Sequence, residues 1–256
     1  MPWHKYNLTH KNLNFAQVIM NYSSTFTVPF GTYSLVGDIL SNDSPPDVVV
    51  LHGAGRSGRH RFYSIRAKLL ENRISSLAFD MVGHGDTGGN LAVSSLKDRT
   101  LQAESVIKHW KLSEPLSFIG ASMSGYTAVS LTQYFNVKNL ILFVPAMYSR
   151  RAYSLCFNDG FSKVIREQNS WFDSDAWDIL NDFRGNLLLI TAENDDIIPE
   201  DVAKKIYESA TKSRNKFIYE VQGSPHQILS YLAERPQKFL EVIKQIVSIL
   251  DEGSEK

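Results

Sequence analysis

The sequence predicts an α/β fold: a mostly parallel central sheet with an N-terminal antiparallel hairpin and helices on both faces. Three observations carry this expectation. Short apolar runs recur along the chain at 48–51, 76–79, 116–119, 140–144, 187–190 and 217–221. Most are continuously apolar rather than alternating, as parallel strands covered on both faces must be. Helix-period segments fill the intervals, and strand–helix alternation of this kind gives a parallel sheet with right-handed crossovers.

Taken in order, the chain first offers a hairpin, with strand-like segments 25–28 and 33–39 on either side of Pro29-Phe30-Gly31-Thr32. The apolar run 48–51 opens the parallel series. Helical patterns at 61–71 and 96–110 follow the first two parallel strands, and 125–135 follows the third. The pattern 201–210 lies between the last two strands. A final helix begins near Pro236, a favoured first-turn residue, and carries Phe239, Leu240, Ile243, Ile246, Val247 and Leu250 on one face.

One interval breaks the rhythm. Residues 148–183 hold no strand-like run and are crowded with Tyr153, Phe157, Phe161, Trp171, Phe172 and Trp177. An insertion of about one helical hairpin is too small to fold alone. The expectation is therefore one domain over 1–256, with a cap at about 148–183.

Composition narrows the function classes. The chain has 256 residues, 43% hydrophobic and 21% charged, which is ordinary for a soluble globular protein. Its 27 basic residues equal its 27 acidic ones, so no global field recruits nucleic acid or an anionic membrane, and a small-molecule partner is expected. The single cysteine, Cys156, excludes an internal disulfide framework and is taken as a packing residue. No His/Cys cluster has metal-ligand spacing, so neither a metal nor another cofactor is expected. Met1 to Met20 is interrupted by Lys5, Asn7, His10, Lys11, Asn12 and Asn14. It lacks the apolar core of a secretory signal, and no stretch of the chain approaches membrane-spanning length. A cytoplasmic protein without membrane insertion is the expectation; no feature specifies an oligomeric state.

The chemistry centres on Ser122, in Phe118-Ile119-Gly120-Ala121-Ser122-Met123-Ser124-Gly125. A strand, an abrupt turn and a helix are how an α/β enzyme presents a nucleophile, with small residues two positions to either side. Here the flanks are Gly120 and Ser124, so the pattern is G-x-S-x-S where G-x-S-x-G is usual. A serine hydroxyl needs a histidine to take its proton and a carboxylate to hold that histidine in the right tautomer. In a parallel sheet both belong on loops past the C-terminal ends of later strands. Asp195 lies five residues beyond Ile190, and His226 five beyond Val221. Asp196 competes with Asp195 for the acid. Two backbone N–H groups are also needed for a developing oxyanion. Met123, following the serine, offers one, and the loop His52-Gly53-Ala54-Gly55 offers another at Ala54.

Leu51-His52-Gly53, the segment from Phe79 to Asp86, the Ser122 turn, the segment from Glu193 to Pro199 and Gly223-Ser224-Pro225-His226 together resemble the α/β-hydrolase family. The likeness runs from about residue 25 to the C-terminus. Within the family it is most similar to small-cap carboxylesterases and to acylglycerol-lipase-like or feruloyl-esterase-like enzymes. The resemblance implies Ser122, Asp195 and His226 as a catalytic triad, with Ala54 and Met123 as the oxyanion hole. It also implies a small or medium-sized ester or thioester as substrate. Aligning Ile197-Ile198-Pro199 with the family pattern favours Asp195 over Asp196. Ser124 departs from the family's glycine, a change that alters turn strain or adds a hydrogen bond near the serine.

Other residues receive plainer readings. His52 and His84 are expected to organise loop hydrogen bonds, Asp80 and Asp86 to brace the Gly83-His84-Gly85 turn, and Arg150 and Arg151 to form a solvated rim. His4, His10, His60 and His109 have no identifiable partner. The segment 148–183 leaves and rejoins the sheet at the edge carrying Ser122 and His226, so it is expected to lie over that edge. Its aromatics are either the core of short helices or the lining of an acyl pocket. Two other functions compete with ester hydrolysis: peptide or carbon–carbon bond hydrolysis on the same scaffold, and a non-catalytic binding module.

Overall fold

A computed structural model describes residues 22–42 and 44–251; the reading of Met1 to Met20, with His4 and His10, falls outside them. The strands are β1 (Ser23–Phe30), β2 (Tyr33–Leu40), β3 (Val48–Leu51), β4 (Ser76–Phe79), β5 (Leu116–Ala121), β6 (Val137–Phe143), β7 (Asn186–Asn194) and β8 (Asn215–Pro225). They form one sheet in the order β1-β2-β4-β3-β5-β6-β7-β8. β1 pairs antiparallel with β2, and β2 with β4; every other pairing is parallel. The hairpin turn is shorter than expected. Phe30 pairs directly with Tyr33, leaving only Gly31 and Thr32 in the loop. Gly31 takes φ 55°, the left-handed conformation that two-residue hairpin loops require.

The continuously apolar strands are explained by two cores. Val49, Leu51, Phe118, Leu140 and Leu189 point to one side of the sheet. Val48, Val50, Ile119, Ile141 and Ile190, one position along, point to the other. Each strand is thus apolar on both faces, because both are covered. The first face carries α2 (Leu96–Trp110) and α3 (Met123–Leu131); the second carries α1 (Tyr63–Glu71). The final helix begins at Pro236 as expected, but its buried face is Val242, Ile243, Ile246, Ile249 and Leu250. Leu240 instead stands 53% exposed.

The order of strands fixes where a site can form. From β3 the chain crosses to β4 on one side, then returns to β5 on the other. β3 and β5 are neighbours at this reversal, with Leu51 opposite Gly120. Loops leaving adjacent strands in opposite directions open a crevice at their C-terminal ends. The loop from His52 and the turn at Ser122 both begin there.

A buried ionic network supports that edge. Asp38 on β2 accepts from Arg59 Nε at 2.6 Å and from Arg66. Arg59 also pairs with Asp80 and with Asp86. Asp80 braces the Gly83-His84-Gly85 turn as expected, accepting from the Asp86 amide at 3.0 Å. The bracing by Arg59, Arg66 and Asp38 had no sequence signal.

The insertion 148–183 is not a helical hairpin. It breaks into short turns: Arg150–Ala152, Phe157–Phe161, α4 (Ser162–Ile165), Ser170–Asp173 and α5 (Ala176–Asp182). It is fastened to the first face by main-chain bonds. The Lys97 amide donates to the Tyr153 carbonyl at 2.9 Å, and the Phe157 amide to the Ser94 carbonyl at 2.9 Å. Tyr126 Oη on α3 donates to Asp175 at 2.7 Å. Phe161, Ala176 and Leu180 join the same core as Met123 and Tyr126. Cys156 is only half-buried, its Sγ 3.7 Å from the Val93 carbonyl, so it borders the packing rather than filling it. No helix among the described residues is long and apolar enough to cross a membrane.

Candidate active site

Ser122 adopts φ 48° and ψ −117°, a conformation that costs energy for any residue with a side chain. Three main-chain bonds hold it there. Its amide donates to the Phe143 carbonyl at 2.9 Å, and its carbonyl accepts from Gly125 at 2.8 Å and Ala146 at 3.0 Å. The turn also needs Gly120: a Cβ there would lie 2.5 Å from the Ser124 carbonyl oxygen. Helix α3 therefore starts at Met123, directly on the turn, two residues before the apolar pattern suggests.

Asp195 follows the last residue of β7, and His226 the last of β8. These strands pair in parallel, with Asn194 opposite Pro225, so the two side chains emerge side by side. The structure brings both to Ser122. Ser122 Oγ lies 3.1 Å from His226 Nε2. His226 Nδ1 lies 2.9 and 3.0 Å from the two carboxylate oxygens of Asp195. The carboxylate is itself held by the Ile197 and Ile198 amides, each 2.9 Å from Oδ1. Asp196 is exposed. With Nδ1–H donated to the carboxylate, Nε2 is left to accept the serine proton.

The orientations of the Met123 and Ala54 N–H groups follow from peptide geometry. In a trans peptide the C=O and N–H point in opposite directions. The Ser122 carbonyl is pinned by two amides, so the Met123 N–H on the same peptide unit faces away from them, at the start of a helix where amides have no intrahelical acceptor. The Gly53 carbonyl accepts from His52 Nδ1 at 2.7 Å and from Arg99 Nη2 at 3.3 Å, so the Ala54 N–H faces the opposite side. Gly53 itself abuts the turn: a Cβ built on it would be 3.4 Å from Ser122 Cβ.

His52 and His84 do organise the loops. The Met81 amide donates to His52 Nε2 at 3.0 Å, which leaves the proton on Nδ1, and the His52 and His84 rings lie 4.6 Å apart, tilted at 58°. Burial, reinforced by the charge of Arg99, holds His52 well below the ordinary histidine value, and the same two causes lower His84. The fold thus disfavours protonation of both rings, whereas the unfolded chain protonates them near about 6.5. The folded state binds fewer protons, so this contribution is complete above that pH and is lost as pH falls below it. The slope is up to about 1.4 kcal/mol per pH unit for each ring. Thermal unfolding followed between about pH 7.5 and 5.5 should show Tm falling more steeply in the native protein than in His52→Gln; equal slopes would contradict the assignment.

The insertion's rings divide between the core of the first face and a surface groove. Trp171 and Phe172 line a groove of about 330 Å³ against Asp201, Lys204, Lys205 and Glu208 of α6 (Glu200–Ser209). The Trp177 indole N–H donates to the Trp171 and Phe172 carbonyls, both at 3.1 Å. Trp171 and Trp177 pack against the core of the first face, whereas Phe172 stands 60% exposed. A larger cavity, about 480 Å³, adjoins the site from the side of Asp195, between Val144, Pro145, Ile198 and Tyr207. Arg151 pairs with Glu167, and Arg150 donates to the Asp173 carbonyl at 2.9 Å, both at the surface. No group of three or more His, Cys, Asp or Glu side chains among the described residues is arranged to hold a metal ion. The residue near the site that sequence reasoning missed is Arg99, inside a helix and in no motif.

A parallel sheet with an antiparallel hairpin and a strained serine turn after β5 defines an α/β-hydrolase. The chain belongs to the serine aminopeptidase S33 family of hydrolases, whose model matches residues 44–173. The matched span includes Ala54 and Ser122 and stops short of Asp195 and His226. Among solved structures, the chain is similar to an esterase from Pyrococcus furiosus, at 18% identity and TM-score 0.69, covering 95% of this chain and 97% of that one. It is also similar to an esterase from Exiguobacterium antarcticum, at 18% identity and TM-score 0.66, covering 88% and 100%. A third is the thioesterase domain from the curacin biosynthetic pathway, at 14% identity and TM-score 0.65, covering 89% and 100%. At these identities the likeness is one of fold. No curated protein matches the chain.

Proposed function

We propose that this hydrolase is a serine esterase that cleaves ester or thioester bonds of small or medium-sized acyl substrates. The observation that carries the reading is the continuous relay from Ser122 Oγ through His226 to Asp195, at 3.1 and 2.9 Å, on a strained turn. Ser122 attacks the carbonyl carbon while His226 Nε2 takes its proton. The Met123 and Ala54 N–H groups receive the oxyanion. His226 then returns the proton to the leaving alcohol or thiol, and water, activated by the same imidazole, releases the acid. Asp195 stays ionised and holds the imidazole. The reaction requires no metal or cofactor. The unit is one α/β-hydrolase domain over 1–256, with 148–183 as its insertion, acting without nucleic acid or membrane insertion in a cytoplasmic setting.

The family's description favours a second reading, release of N-terminal amino acids from peptides. The two are separated by assaying p-nitrophenyl acetate, butyrate and octanoate beside amino-acid p-nitroanilides. The esterase reading expects turnover of the esters at least about a hundredfold faster than of any anilide, a difference of about 2.7 kcal/mol in barrier. Faster anilide cleavage would favour the peptidase, and inertness to all of them, with no labelling by a fluorophosphonate, a binding module.

A further inference from the structure

Arg99 is fully buried on α2, and no carboxylate pairs with it among the described residues. Its Nη2 donates to the His52 carbonyl at 2.7 Å, the Gly53 carbonyl at 3.3 Å and Ser124 Oγ at 2.9 Å. Its Nε and Nη1 have no hydrogen-bond partner among those residues. Burial brings the guanidinium down to about 10, so it still carries its charge at neutral pH. A buried, unbalanced cation destabilises a fold. An apolar side chain would serve packing better, so the position asks for another explanation.

Ser124 supplies the other half. Its hydroxyl donates to the His52 carbonyl at 2.5 Å while accepting from Arg99. This is the position where the family motif has glycine, and glycine could make neither bond. The pair converges on the two carbonyls immediately before Ala54.

We propose that Arg99 and Ser124 are positioning residues that set and polarise the oxyanion loop. The inference rests on the esterase reading of Ser122 and adds to it. Arg99 and the His52 ring hold the Gly53 carbonyl inward, and peptide planarity then turns the Ala54 N–H outward toward the serine. A cation at the carbonyl end of that peptide draws electron density from the N–H and strengthens it as a donor. Because no acid neutralises Arg99, its field remains positive where the substrate oxygen gains charge. That gain exists in the transition state and not in the bound ester, so the effect belongs to kcat rather than KM.

The test compares Arg99→Met, Arg99→Lys and Ser124→Ala with the native protein on p-nitrophenyl butyrate, with active sites counted by stoichiometric fluorophosphonate labelling. Arg99→Met should lower kcat per labelled site by about 10- to 100-fold, somewhat less than loss of a direct oxyanion donor. KM should stay within about twofold. Arg99→Lys should recover part of kcat, since it keeps the charge and a donor. Ser124→Ala should lower kcat in the same direction by several fold. A phenylboronic acid, which forms a tetrahedral adduct on serine, should lose affinity in step with kcat. Unchanged kcat per labelled site in these variants, whatever their Tm, overturns the proposal. If Arg99→Met does not fold, Ser124→Ala and Arg99→Lys decide it by the same criterion. A native protein that neither labels nor hydrolyses the ester defeats the esterase reading itself, before any variant is compared.

Discussion

Ser122→Ala should lower ester turnover by about 10⁴-fold or more while leaving the fold in place. The serine hydroxyl is the only group at the turn whose loss removes the covalent route altogether. His226 would keep its bond to Asp195, and the Met123 and Ala54 amides would keep their orientation, because main-chain bonds to the Ser122 carbonyl and side-chain bonds from His52 and Arg99 to the Gly53 carbonyl fix them. What remains is catalysis by those amides alone. Alanine carries a Cβ like serine, so the strained φ of 48° is no worse for it, and Tm should move by no more than a few degrees, as for a change of under about 1 kcal/mol. Steady-state kinetics on p-nitrophenyl butyrate with a thermal melt checks both halves. Retention of more than about a tenth of native kcat would remove Ser122 from the chemistry.

Asp195→Asn is the second large effect, expected at about 10⁴-fold in kcat. An asparagine oxygen can still accept the Ile197 and Ile198 amides that hold the carboxylate at 2.9 Å, so the loop should stay ordered. The amide nitrogen would then face His226 Nδ1. A donor there forces Nδ1 to accept, moves the ring proton to Nε2 and points it at Ser122 Oγ, where a base is needed. Asp196→Asn, at an exposed position, should change kcat by less than about twofold, in line with ordinary surface substitutions. The reverse ranking, measured on the same ester, would transfer the acid to Asp196.

Much of this architecture was legible because it rests on local patterns. The continuous apolar runs mark β3 to β7 since each strand is buried on alternating sides by two separate cores. Gly120 with Ser122 marks the turn because sterics leave few residue types there. The spacing of Asp195 and His226 from Ile190 and Val221 carried their position because β7 and β8 end just before them. What could not be read depends on distant pairing. Arg99 reaches the His52 loop across 47 positions of sequence, and Arg59 joins Asp80 and Asp86 to Asp38, which lies in no motif. The buried face of the last helix was drawn too far toward Leu240, since periodicity gives a stripe and not the angle at which it meets the sheet. The expectation of a helical hairpin in the insertion failed differently. The segment's aromatic content was visible, but whether Trp171 and Trp177 face Ser122 or their own neighbours is set by turns such as that at Asn169, with φ 56°.

The departure at Ser124 joins the two levels. In the sequence it is a missing glycine in a family motif. In the structure its hydroxyl lies between Arg99 and the His52 carbonyl, in contact with the loop that carries Ala54.

The most direct measurement is the site of covalent labelling by a fluorophosphonate, read by intact mass and peptide mapping. The native protein should take up one phosphonyl group, located on Ser122. Labelling should be absent in Ser122→Ala and much slower in Asp195→Asn. A label on Ser124 or any other residue, or ester hydrolysis that continues in protein that takes up no label, would contradict the assignment of Ser122 as nucleophile.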